Sequence, residues 1–212
     1  MAEVSGATAT LREVGHRLPD DQTAIAFGAT ALTNWHRLER HCSGCGAPTQ
    51  PRRAGLQRSC SGCGRASWPR TDPAVIVAVS NAEDELLLAH QHGWPQGRVS
   101  VLAGFVETGE SLEQALHREI LEEAGVRLAD LRYVASQPWP FPRSLMLGFR
   151  ARALTTELRL DTEELAWGAW YSRDRLREEM GAGRLVLPTP ASLAHRLVLD
   201  WWGSERLPAG WG

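Results

Sequence analysis

Residues Gly104–Val126 read G-F-V-E-T-G-E-S-L-E-Q-A-L-H-R-E-I-L-E-E-A-G-V, and they constrain the fold more than any other stretch of the chain. Ser111 followed three residues later by Gln114 makes a capping box, and Gly125 supplies a left-handed stop, so a helix is predicted over 112–124. Leu112, Ala115 and Leu116 mark its inward stripe. Seven residues further on, that stripe arrives at Glu119, Glu122 and Glu123. A charged helix face is ordinarily solvated, but carboxylates in an inward register repel one another and lose hydration, and this favours protonation or a polyvalent cation. Oxygen-only ligation suits Mg²⁺ or Mn²⁺. Glu110, in the loop entering the helix, is within reach of Arg118, whose other prospective partner is Glu122 four residues on.

A second constellation is Cys42-x2-Cys45 with Cys60-x2-Cys63, in which the pentapeptide C-S-G-C-G occurs twice. Four thiolates presented from two matching knuckles close a tetrahedral Zn²⁺ site with no open position, so the zinc is structural. Disulfides or redox dithiols are the competing reading. They suit a secreted chain, whereas no charged-then-apolar leader opens this one, and a cytoplasmic location is expected. Arg52, Arg53, Arg58, Arg65 and Arg70 on the ribbon either meet an RNA backbone or solubilise a small module.

The third stretch, Ser136–Met146, reads S-Q-P-W-P-F-P-R-S-L-M. Pro138, Pro140 and Pro142 remove backbone donors and argue against a central strand. They stiffen a loop expected to present the faces of Trp139 and Phe141, with Gln137 and Ser144 offering hydrogen bonds, as a flat nucleoside would require.

The 104–126 stretch satisfies every fixed position of the Nudix box, G-x5-E-x7-R-E-U-x-E-E-x-G-U with U apolar. The proline-rich motif closely resembles the signature of the NADH pyrophosphatase branch of that family. The resemblance runs from about Ala31 onward. It implies divalent cations held by Glu119 and Glu123, with the Ala103 carbonyl and a more distant glutamate, Glu164. Arg118 and Glu110 orient the site, with Glu122 as a further catalytic residue. The implied reaction is hydrolysis of the pyrophosphate of NADH or NAD⁺ to nicotinamide mononucleotide and AMP, and removal of an NAD cap from RNA is the same bond cleavage. Resemblance also implies substrate contacts at Trp68 and Phe105, which would sandwich the adenine, along the motif at Gln137, Pro138, Trp139, Pro140, Phe141, Pro142, Arg143 and Ser144, and at Ala194. Arg143 stands where the branch often has glutamine, and either meets a phosphate or faces solvent. A homodimer is implied too. Members usually carry a further domain before the ribbon, where this sequence has 41 residues. That shortened N-terminal domain keeps a modified NAD-derived dinucleotide open as substrate, and a non-catalytic NAD or ADP-ribose sensor is the alternative of another class.

The expected fold is α/β (α+β): a Nudix α/β/α sandwich with a mixed sheet, preceded by a four-cysteine zinc ribbon. The domains are 1–40, a short segment ending in a helix from Ala24 to Arg40; 41–70, the ribbon; and 71–212, the hydrolase. Strands are expected at Pro73–Val79, Glu85–Ala89, Arg132–Ser136, Leu145–Ala153 and Ala166–Tyr171, with helices beginning near Ser172 and Pro190. At 43% hydrophobic and a formal net charge of −2, 212 residues hold one substantial core and have no broad electrostatic affinity for nucleic acid or an anionic membrane. The longest apolar run, Ala74–Val79, is too short to span a bilayer. For His90, His92, His117 and His195 no paired base geometry is visible in the sequence, and they are not assigned catalysis. Trp201, Trp202 and Trp211 are read as packing or interface residues.

Overall fold

The computed structural model describes residues 9–203. Trp211 lies outside the described residues, as do residues 1–8 of the N-terminal segment. The chain divides into two compact units, one comprising the chain up to Asp72 together with Pro138–Leu145, the other Pro73–Gln137 and the chain from Met146 onward.

In the first unit a short helix α1 (Leu11–Val14) precedes α2 (Asp20–Leu38). The second helix starts four residues before the expected Ala24. Pro19 stands at its N-cap and the Thr23 hydroxyl donates to the Leu18 carbonyl, so the chain turns there. Three short strands, β1 (Thr49–Arg52), β2 (Gln57–Cys60) and β3 (Ala66–Ser67), form an antiparallel ribbon. Arg58 is no solvated cation: it is 7% exposed, and its guanidinium donates to the Thr49 hydroxyl (2.6 Å), the Thr49 carbonyl (2.8 Å) and His36 Nδ1 (2.8 Å).

The second unit is built on a six-stranded sheet of β4 (Asp72–Ser80), β5 (Leu86–Gln91), β6 (Leu102–Phe105), β7 (Leu128–Trp139), β8 (Ser144–Ala153) and β9 (Leu165–Tyr171). Their order is β7-β8-β4-β5-β9, with β6 paired to β4. Alternation sorts its side chains into two layers. Val75, Val77, Val79, Leu87 and Ala89 pack with Ala115, Leu116, Ile120 and Ala124 of α3 (Leu112–Ala124). Ile76, Ala78, Leu86 and Leu88 pack on the opposite side with Leu176 of α4 (Arg173–Gly181) and Leu193, Leu197, Trp201 and Trp202 of α5 (Leu193–Trp202). Helices on both faces of one sheet are the expected α/β/α sandwich, and Trp201 and Trp202 are core residues as anticipated. No helix among the described residues is long and apolar enough to cross a membrane.

Two boundaries differ from expectation. β7 runs three residues beyond Ser136, through Pro138, because it is an edge strand where a missing N–H need not break a ladder. The loop expected before the helix contains β6, whose pairing of Gly104 with Val75 and Ala103 with Ile76 fixes the entry to the site.

Candidate active site and zinc centre

α3 forms as its sequence specifies. The Ser111 hydroxyl accepts from the Gln114 N–H (3.2 Å), the Gln114 side chain accepts from the Ser111 N–H (2.8 Å), and Gly125 takes a left-handed φ of 72°. The carboxylate face is narrower than expected. Glu123 is buried at 3% exposure and Glu119 is half-buried, whereas Glu122 is exposed. At 3.6 residues per turn Glu122 lies roughly 100° round the helix from Glu123, outside the apolar stripe.

Arg118 is the hub. Its guanidinium grips both oxygens of Glu110 (2.6 and 2.8 Å), and also donates to Glu119 Oε1 (2.9 Å), Glu122 Oε2 (3.2 Å) and the Phe105 carbonyl (2.9 Å). Glu110 and Glu122 are the partners the spacing suggests; Glu119 and the Phe105 carbonyl emerge only from the packing of β6 against α3. The two-pronged contact holds Glu110 down at about 2 and raises Arg118 further above its usual range. The Glu119 carboxylate sits directly against Gly104, where any Cβ would overlap it, so a larger residue there would displace that carboxylate.

Glu123 is under the opposite pressure. Burial, then the neighbouring carboxylates Glu119 and Glu164, push it up to about 8, and its Oε2 is buried with no hydrogen-bond partner. Burial raises Glu119 too, against the pull of Arg118. Glu164 comes from a turn whose Asp161 N–H donates to the Glu123 carbonyl (2.9 Å). The tie from Asp161 was not anticipated, although an acidic D-T-E-E run is a recognisable turn starter. An orphaned buried carboxylate oxygen with the carboxylates of Glu119 and Glu164 as neighbours suits a divalent cation.

The four cysteines converge as expected. They are free thiols with all Sγ atoms within 4.8 Å of one another, at 3.8 Å for Cys42–Cys63 and 3.4 Å for Cys45–Cys60. A tetrahedron of Zn–S bonds of about 2.3 Å has edges of about 3.8 Å, so the cage has the dimensions of zinc. Backbone N–H groups of Cys63 and Gly62 hold Cys60 down at about 6, and Gly44 with Cys45 lowers Cys42. Cys45 stays up at about 11: a backbone contact at Ala47 lowers it, but the thiols of Cys60 and Cys63 outweigh that contact. The knuckles pack reciprocally. A Cβ on Gly44 would strike the Arg65 guanidinium, and one on Gly62 would strike Ala47.

The remaining site residues fall in both units, and the boundary cuts the proline-rich motif between Gln137 and Pro138. In the second unit Gln137 donates to the Ala191 carbonyl (2.7 Å) and accepts from the Leu193 N–H (2.6 Å), which fixes the start of α5 beside the buried Ala194. Its amide is therefore engaged by backbone. Phe105 is 56% exposed. In the first unit Trp68 is 58% exposed and Ser144 is buried. Arg143 meets Asp72 (2.6 Å), lowering that carboxyl, and its carbonyl accepts from the Asp72 N–H (3.0 Å). The turn carries a cis Phe141–Pro142 bond. Trp139 and Phe141 stand edge to face at 5.0 Å, with the Arg12 guanidinium 4.6 Å over Phe141 and 5.9 Å over Trp139.

A family profile described as NUDIX domain matches residues 70–189, more than half of the chain. The chain belongs to the Nudix family. A second profile, the NADH pyrophosphatase zinc ribbon domain, matches residues 37–67, so the cysteine cage of this Nudix protein is a zinc ribbon. The Nudix chain is 41% identical over 212 residues to the NAD-capped RNA hydrolase NudC of Mycobacterium bovis (strain BCG / Pasteur 1173P2), covering 96% of this chain and 68% of that protein. It is 36% identical to the mitochondrial NAD(P)H pyrophosphatase NUDT13 of Mus musculus, covering 94% of this chain and 60% of that protein. Among solved structures, the crystal structure of a NUDIX hydrolase from Nitrosomonas europaea aligns with a TM-score of 0.54 at 24% identity, covering 64% of this chain and 79% of that one, a likeness of fold.

Proposed function

We propose that this Nudix chain is a metal-dependent NAD(H) diphosphatase that cleaves the pyrophosphate to nicotinamide mononucleotide, oxidised or reduced, and AMP, and that removes NAD caps from RNA by the same cleavage. The observation that carries the reading is the buried Glu123 carboxylate with an unpartnered oxygen, set beside Glu119 and Glu164. The names of the two relatives support the substrate class.

Glu119, Glu123, Glu164 and the Ala103 carbonyl would hold Mg²⁺ or Mn²⁺, which supplies Lewis-acid polarisation of phosphoryl oxygens and a more acidic water. Arg118, clamped by Glu110, locks Glu119 in place, and Gly104 leaves room for that carboxylate. Glu122 is assigned the role of taking the proton from water, being the exposed carboxylate of the three while still tethered to Arg118. The new bond joins water oxygen to phosphorus, and the bridging P–O bond breaks. Phe105 and Trp68, both exposed aromatics, are assigned to the adenine, and Pro138–Ser144 to the rest of the dinucleotide, with Gln137 and Ala194 shaping the start of α5. Domain limits of 1–40, 41–70 and 71–212, a homodimer and a cytoplasmic location complete the proposal.

The test is to incubate the protein and its Glu123→Gln variant with Mg²⁺ or Mn²⁺ and, separately, NADH, NAD⁺, ADP-ribose and NAD-capped RNA, then to resolve the products by chromatography. AMP and reduced mononucleotide from NADH, absent with the variant, are expected. If a folded, metal-replete protein cleaves none of them, the substrate is a modified dinucleotide and the proposal is wrong; binding without turnover would mark a sensor.

A further inference from the structure

The Trp139–Phe141 turn is held by α2, an element with no role in the chemistry above. Phe27, 8% exposed, meets Trp139 at 6.5 Å and 67° and Phe141 at 6.2 Å and 84°, both edge to face. The three rings thus form a closed aromatic cluster. Asn34, seven residues and two turns further along the same helix face, donates its amide to the Pro140 carbonyl (3.3 Å). Pro140 has no N–H of its own and lies between the two rings, so this bond fixes the apex of the turn at the one backbone group it offers. The far end of α2 is itself immobilised. His36 Nε2 donates to the Gly55 carbonyl (2.8 Å) while Nδ1 receives the Arg58 guanidinium (2.8 Å), and the Thr49 hydroxyl donates to the Glu39 carbonyl (2.8 Å). The helix is therefore a strut between the zinc ribbon and the proline-rich turn, all within one compact unit.

We propose that Phe27 and Asn34 are positioning residues for dinucleotide binding: they set the Trp139 and Phe141 rings and the Pro140 apex in the geometry that receives substrate. The inference rests on the substrate role given to this turn above. A ring cluster and one hydrogen bond anchored on a rigid helix preorganise the turn, and losing either should weaken binding while leaving the chemical step alone.

The experiment measures KM and kcat for NADH in the zinc-replete full chain and in Trp139→Ala, Phe27→Leu, Asn34→Asp and the Trp139→Ala/Phe27→Leu double variant, with zinc content and melting temperature recorded for each. Trp139→Ala should raise KM most. Phe27→Leu and Asn34→Asp should each raise it about fivefold or more, the scale of one lost contact, with kcat within about twofold. In the Trp139→Ala background, Phe27→Leu should add less than about twofold, because both act through one ring cluster. A role in stability alone would lower the melting temperature and leave KM untouched at temperatures where the variants are folded. That result, alongside a raised KM in Trp139→Ala, would overturn the inference and leave the substrate role of the turn standing. An unchanged KM in Trp139→Ala would remove the substrate role of the turn and the inference with it. Asn34→Asp changes a half-buried side chain and keeps its shape, so it carries the test should Phe27→Leu fail to fold.

Discussion

Consider Glu123→Gln in protein loaded with zinc but free of Mg²⁺ and Mn²⁺. Glu123 is buried beside Glu119 and Glu164, and its carboxyl is pushed from the usual 4.5 to about 8. The folded state therefore holds this proton more tightly than the unfolded chain does. Below about pH 4.5 the group is protonated in both states and costs nothing. As pH rises from there to about 8 the unfolded chain ionises first and the wild type loses stability, up to about 5 kcal/mol once both states are ionised. Glutamine has nearly the same shape and no proton to lose, so the variant lacks this slope. Without divalent metal it should melt close to the wild type near pH 5 and on the order of 10 °C higher at pH 8.5. Saturating Mg²⁺ or Mn²⁺ should reverse the order at pH 8.5, since the wild type gains binding free energy in proportion to the logarithm of metal concentration and the variant has lost a ligand. Scanning calorimetry at pH 5 and 8.5, with and without Mn²⁺, reads all four cases. A melting difference that is the same at both pH values would refute the buried-carboxylate reasoning, and an equal Mn²⁺ shift in both proteins would remove Glu123 from the metal site.

Gly104→Ala should drive the Glu119 carboxylate off its position and lower kcat by about a hundredfold or more with little loss of helix content, measured by steady-state kinetics and circular dichroism. Arg118→Lys loses the two-pronged grip on Glu110 and the simultaneous contacts to Glu119 and Phe105. A fall in kcat of at least about tenfold is expected, and full activity would remove the orienting role. Because Glu123 must shed its proton to ligate, apparent Mn²⁺ affinity should climb as pH rises toward about 8 and level off above it, with proton release on binding detectable by calorimetry in buffers of different ionisation enthalpy. Cys60→Ser should abolish stoichiometric zinc and lower the melting temperature of the ribbon first; unchanged melting would contradict a structural metal.

What the sequence discloses here follows the range of the interactions concerned. The capping box at Ser111 and Gln114, the stop at Gly125 and the paired knuckles are local devices, written within a few residues, and each stands where its spacing places it. The sandwich is likewise legible because alternation along β4 and β5 assigns side chains to two faces. Periodicity was too coarse for the carboxylate stripe: stepping by seven includes Glu122, whereas the actual face stops at Glu123 and Glu119. Contacts across long separations left no local mark. Asp72 holding Arg143, Asn34 reaching Pro140, Arg58 buried against His36, and Gln137 spent on the backbone of α5 all depend on how distant segments pack. The prolines argued against a central strand, and β7 lies at the edge; only its end was misplaced, because an edge position lets it run past Ser136 to Trp139.

The most direct measurement is ³¹P NMR of NADH mixed with the zinc-replete protein and Mg²⁺, run in parallel with Glu123→Gln. The expected result is replacement of the pyrophosphate resonances by two phosphomonoester signals, assignable to AMP and reduced nicotinamide mononucleotide, with no inorganic phosphate and no change in the variant. Persistence of the pyrophosphate signals with the folded, metal-replete protein, or equal turnover by Glu123→Gln, would contradict a metal-dependent NAD(H) diphosphatase built on this carboxylate.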